Sequence, residues 1–129
     1  MANPRLLIDT DVMIEYLRGV KAAVAFLESL ERRPAMSVIC VAELMAGVRD
    51  AQEEAALQQF LLAFEVTPVD EEIARLGGQY RRTYMPSHNT GLADALIAAT
   101  ATQHGLRLVT FNARHYPMFE DVLVPYQRS

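Results

Sequence analysis

Short strand-like runs alternate along this chain with stretches whose apolar residues recur every three or four positions, and that alternation admits few folds. Leu6–Ile8 form a brief apolar run ending at Asp9, after which Val12, Met13, Tyr16 and Leu17 keep helical spacing as far as Gly19. A second helix, from about Ala22 to Glu31, carries Val24, Leu27 and Leu30 on one side and stops ahead of Pro34, and Ala35–Val38 make the next strand. The spacing then predicts helices over about Val41–Val48 and Gln52–Leu62, a short strand at Glu65–Thr67, and, behind an Asp70 cap, a helix to about Tyr84. Pro86–Gly91 reads as a polar loop and Leu92 to about His104 as a helix stopped by Gly105. Leu106–Val109 reads as a strand, the residues after Thr110 as a turn or short helix, and Val122–Val124 as a last edge strand. Strands joined through helices make an α/β sandwich around a short, mainly parallel sheet, with ligands expected at the carboxyl ends of the strands.

At 129 residues the chain is the size of one domain, residues 1–129, and no linker, repeat or low-complexity tract divides it. A hydrophobic fraction of 51% with six Gly and six Pro fits a packed core and excludes a disordered tail. No apolar run nears the roughly 20 residues that span a bilayer, and the N-terminus lacks the regions of a signal peptide, so the cytoplasm is the expected location and no membrane is expected as a partner. The single cysteine, Cys40, has no intramolecular partner, and no Cys or His spacing suits zinc, so any metal should be held by oxygen. Twelve basic against sixteen acidic residues leave a net charge of −4. Such a chain does not coat nucleic acid through a broad positive surface, and a polyanionic substrate would need local Arg residues and a bound cation.

Four segments place a carboxylate or amide where a core would hold something apolar: Asp9 in LLIDTDV, Glu43 in VICVAELMAGVR, Asp94 in GLADALIAATA and Asn112 in LVTFNARHYPMF. Unpaired charge in such surroundings is costly, and a shared cation explains all four together. Each residue also has an ordinary reading. Asp9 can be a helix N-cap, and Asp11 can complement the helix dipole or support a ligand from behind. Glu43, in line with Ile39, Ala46 and Gly47, can pair with Arg18 or Arg49. Asp94 can rest on the dipole of its own helix, although Ile97, Ala98 and Ala101 share its side and no Lys or Arg lies between Met85 and His104. Thr110 and Asn112 can serve a turn, and His115 reads as a solvated surface residue, outside the catalytic set. Hard oxygen donors, few per ion, suit Mg²⁺ or Mn²⁺, and a cation of that kind hydrolyses a phosphodiester without a protein nucleophile.

In order and wording, the segments LLIDTDVMIEYLRG, SVICVAELMAGVR, GLADALIAATA and LVTFNARHYPMF resemble the PIN-domain ribonucleases, in particular the VapC toxins of type II toxin–antitoxin pairs. The resemblance covers nearly the whole chain and implies a PIN-like three-layer α/β/α sandwich. It implies that Asp9, Glu43 and Asp94 are metal ligands, with Asn112 at a fourth position near which many relatives carry Asp. Beside them Asp11 and Thr110 are candidate supporting residues, with a direct metal contact as the alternative for Asp11. One Mg²⁺ site then follows more readily than two. The resemblance also implies RNA as substrate, a VapB-like antitoxin and a homodimer. Arg81, Arg82 and Arg114 are candidate phosphate contacts, with solvated surface charge as the ordinary alternative. Cys40 falls where relatives often carry a Thr helix cap, which implies a weaker cap.

Two other readings compete. IDTDV also resembles the strand-end Asp-x-Asp of haloacid-dehalogenase-like phosphatases, but that chemistry calls for a later Lys and the chain's one Lys is Lys21. A non-catalytic PIN-like module that binds RNA or protein is the other, and retention of all three acids argues against it.

Overall fold

A computed structural model of the chain describes residues 4–128; residues 1–3 and 129, part of the single domain expected from the sequence, lie outside the described residues. Four strands, β1 (Leu6–Ile8), β2 (Ala35–Ser37), β3 (Glu65–Thr67) and β4 (Arg107–Val109), form one sheet in the order β3-β2-β1-β4. Every pairing is parallel, so the sheet read as mainly parallel is wholly so. The register sets Ile8 beside Val109 and Ser37 beside Thr67, which aligns the carboxyl ends of all four strands along one edge. Leu7, Ile8, Met36, Leu108 and Val109 are fully or almost fully buried, as expected of parallel strands covered on both faces.

Among the described residues six helices connect the strands: α1 (Thr10–Leu17), α2 (Lys21–Glu28), α3 (Val38–Ala46), α4 (Ala51–Leu61), α5 (Glu71–His88) and α6 (Leu92–His104). Their starts follow the local chemistry. Side-chain oxygens of Asp9, Ser37, Asp50 and Asp70 accept backbone N–H groups at the starts of α1, α3, α4 and α5. Gly105 ends α6 in the left-handed conformation that a Cβ disfavours. The largest helix pair is α5 with α6, and Gly77 lets them approach: a Cβ there would stand 2.6 Å from Leu96 Cδ2 and 3.3 Å from Leu96 Cα.

Three expectations need correction. α5 runs past Tyr84 to His88, taking in Pro86, because a proline in the last turn forfeits only one intrahelical bond and Asn89, at φ 56°, then caps the helix in the left-handed region. The loop expected at Pro86–Gly91 shrinks accordingly. Val122–Val124 is no strand; a single parallel bridge joins Leu123 to Val109. Cys40 is no failed cap either, since α3 begins at Val38 on the Ser37 cap and the buried Cys40 thiol points to the Ile8 carbonyl, 3.9 Å away.

The strand order places the switch in connection direction between β1 and β4. From β1 the chain moves to β2 on one side, and it returns to β4 on the other, so the carboxyl ends of β1 and β4 flank the crevice where such sheets bind ligands. Asp9 follows β1 there, its N–H bonded to the Val109 carbonyl at 2.9 Å, and Thr110 follows β4.

Candidate active site

Asp9 caps α1 from the end of β1, which buries its carboxylate at 5% exposure while leaving the oxygens aimed across the crevice. Oδ1 accepts from the Thr10 N–H at 2.8 Å, and Oδ2 accepts from the hydroxyls of Thr110 at 2.8 Å and Tyr116 at 2.9 Å. These three donors favour the charged form. Burial opposes them most, followed by the Asp11 carboxylate, and together these push the Asp9 carboxyl up to about 7. The cap predicted as its ordinary role is real and coexists with the acid cluster.

Tyr116 ties Asp9 to Asp94. Its hydroxyl, in an almost fully buried side chain, lies 2.9 Å from Asp9 Oδ2 and 3.2 Å from Asp94 Oδ1, so the two carboxylate oxygens are within about 6 Å of each other. A phenol carries one proton. It therefore serves the two acceptors in turn, or one of the acids holds a proton and returns the bond. Burial and both carboxylates raise the phenol far above its ordinary value, so it remains a donor. On its other oxygen Asp94 faces His115, with Nδ1 3.3 Å from Oδ2.

Glu43 stands on the second turn of α3, exposed at the crevice rim, and its Oε1 accepts the Thr10 hydroxyl at 2.7 Å. Neither Arg18 nor Arg49 pairs with it; Arg49 pairs with Glu53 at 2.6 Å. Asp11 closes the floor with Oδ2, which accepts the Phe111 N–H at 2.9 Å, the Thr110 hydroxyl at 3.1 Å and the Asn112 Nδ2 at 3.2 Å. Burial raises the Asp11 carboxyl above its ordinary value, against the hydrogen bonds that favour its charged form. Asn112 thus turns its donor toward Asp11, while its backbone N–H bonds to Thr110 Oγ1 at 3.1 Å.

The structure brings Asp9, Asp94, Glu43, Asp11, Thr110 and Asn112 into one hydrogen-bonded cluster built from the ends of β1 and β4, the first turns of α1 and α6 and the second turn of α3. Arg114 lies on the 3-10 turn Ala113–His115 beside it. Arg81 and Arg82 lie on α5 and make no hydrogen bond or ion pair among the described residues. Sequence reading missed Thr10, Tyr116 and His115. A buried tyrosine needs a partner for its hydroxyl, but only the fold names that partner; His115, read as a solvated surface group, is half-buried against Asp94. Cys40 is buried and its thiol raised by burial, which removes it as nucleophile or ligand.

Among the described residues, no three His, Cys, Asp or Glu side chains are gathered closely enough, as they stand, to hold a metal ion unaided. Mg²⁺ asks for less: one or two carboxylates, with waters completing an octahedron. Asp9 and Asp94, bridged by one hydroxyl, have the donor chemistry for that arrangement, with Glu43 at the rim.

Residues 6–120 match the PIN domain family model. The chain is 45% identical to Ribonuclease VapC10 of Mycobacterium tuberculosis, over 94% of this chain and 92% of that protein. It is also 45% identical to Ribonuclease VapC19 of the same organism, over 93% and 98%. Among solved structures, a toxin–antitoxin complex from Klebsiella pneumoniae superposes with a TM-score of 0.82 at 28% identity, covering 95% of this chain and 99% of that one. With the acid cluster at the switch crevice and these matches along almost its full length, the chain belongs to the PIN-domain family, among its VapC-type proteins.

Proposed function

We infer that this chain is a divalent-cation-dependent endoribonuclease that acts as the toxin of a VapBC-type pair. The observation that carries the reading is the hydrogen-bond chain Asp94–Tyr116–Asp9–Thr10–Glu43, which joins three acids far apart in sequence at the ligand-binding end of the sheet. Relatives named ribonuclease and a neighbouring toxin–antitoxin complex support the activity and a VapB-like antitoxin as partner. A homodimer in the cytoplasm belongs to the same reading.

Asp9 and Asp94, with Glu43, would hold Mg²⁺ or Mn²⁺. Bound there, such an ion supplies Lewis acidity, lowering the pKa of water and offsetting charge on the phosphodiester. The chain's own residues do the positioning. Thr110 and Thr10 N–H fix Asp9, Tyr116 sets its distance from Asp94, and the Thr10 hydroxyl orients Glu43. His115 lies against Asp94, with Nδ1 3.3 Å from Oδ2, and steadies that carboxylate from its second oxygen. Asn112 and the Phe111 N–H hold Asp11 behind the cluster. The test is RNA cleavage with and without Mg²⁺ by the parent, Asp9→Ala and Asp94→Asn. Loss of Mg²⁺-dependent cleavage in both variants is expected; survival of the rate in both would sink the nuclease reading, and tight RNA binding without any cutting by the parent would favour a non-catalytic module.

A further inference from the structure

A second feature adjoins the acid cluster. Met85, Pro86, Ser87, His88 and Asn89, from the end of α5, and Arg114 and His115, from the turn after β4, line a cavity of about 290 Å³. His115 belongs to both places, lining the cavity while its Nδ1 faces Asp94. We propose that this cavity seats one unstacked nucleotide of single-stranded RNA next to the scissile phosphate, with Arg114 on its phosphate and the His88 and His115 rings against its base. The proposal rests on the nuclease reading and names how that site takes its substrate.

Four observations carry it. In a chain with an acidic excess, none of the seven lining residues is acidic, and Arg114 has no ion pair or hydrogen bond among the described residues. A cationic cavity beside an anionic cluster complements a phosphodiester whose scissile group meets a cation at the acids. The volume suits one nucleotide and is far too small for a duplex, and RNA readers of single strands stack splayed bases on flat side chains such as His. The walls are also tied together: the fully buried Thr90, just past the Asn89 cap, donates its hydroxyl to the His115 carbonyl at 2.8 Å. His88 is steadied in turn, with Nδ1 2.7 Å from Ser87 Oγ and its ring packed edge-on to Tyr84 at 6.2 Å. The cavity is therefore preformed, which spares binding the cost of ordering it.

The test measures KM for Mg²⁺-dependent cleavage of a single-stranded RNA and, separately, Mn²⁺ affinity by calorimetry, for the parent, Arg114→Ala, Arg114→Lys and His88→Ala. Arg75→Ala, on the first turns of α5 and paired with Glu71, controls for lost charge. Arg114→Ala and His88→Ala are expected to raise KM roughly tenfold each, the worth of one charge-assisted contact for Arg114 and of one stacked base for His88, with parental Mn²⁺ affinity and with partial recovery in Arg114→Lys. A KM within twofold of the parent in both alanine variants, or an equal rise in Arg75→Ala, overturns the subsite while leaving the nuclease reading intact. A parent that cuts no RNA with Mg²⁺ overturns both.

Discussion

Replacing Tyr116 with Phe removes one oxygen from the centre of the acid cluster and leaves the ring's packing in place. That hydroxyl donates to Asp9 Oδ2 at 2.9 Å and lies 3.2 Å from Asp94 Oδ1, at the end of an almost fully buried side chain. A hydrogen bond to a charged group contributes about 1.5–3 kcal/mol, and Asp9 Oδ2 keeps its Thr110 donor at 2.8 Å, so the loss is that of one bond. For a domain of this size each kcal/mol moves Tm by roughly 3–5 °C, so Tyr116→Phe should melt about 5–15 °C below the parent in EDTA at neutral pH. Partners that orient metal ligands are worth roughly 10- to 100-fold in metal affinity, so Mn²⁺ binding by calorimetry should weaken by at least about tenfold. A variant that melts with the parent and binds Mn²⁺ equally well would refute the reasoning, since the hydroxyl would then be dispensable to both carboxylates.

Other outcomes follow from single positions. Gly77→Ala should destabilise by about 1–3 kcal/mol because its methyl meets Leu96 of α6, whereas Gly78→Ala, facing open space, should stabilise by roughly 0.5–1 kcal/mol; equal effects in denaturant melts would contradict the close helix contact. The folded chain keeps the Asp9 proton to about pH 7, while the unfolded chain sheds it from its ordinary 3.8. Without cation the parent should therefore lose stability relative to Asp9→Asn as pH rises from about 4 to 7, by at most ~4 kcal/mol, and parallel pH curves would be the contrary result. Glu43→Gln, at an exposed position, should abolish growth arrest on expression while shifting Tm by no more than about 2 °C; undiminished arrest would remove Glu43 from the machinery.

Much of this was legible because local chemistry and global fold agree here. Strand, cap and helix fall together at Asp9, and Gly105 stops α6 where an αL cap is needed. The apolar company of Asp94 marked it as a candidate, and its helix is buried over Ala95 and Ile97–Ala101. What escaped depended on distance in sequence. Tyr116 is 107 residues from Asp9, and no periodicity links a phenol in one turn to a carboxylate in another. His115 looked solvated because its partner, Asp94, sits on a different element. Pro86 misled for a local reason: in a last turn, a proline sacrifices one bond that the helix can spare.

The account stands on Asp9, Glu43 and Asp94 acting on one cation, and Mn²⁺ titration monitored by calorimetry tests that most directly. The parent should take up Mn²⁺ with a stoichiometry near one per chain, and Asp9→Asn, Glu43→Gln and Asp94→Asn should each weaken binding by roughly tenfold or more while remaining folded. Parental affinity in all three variants would contradict it.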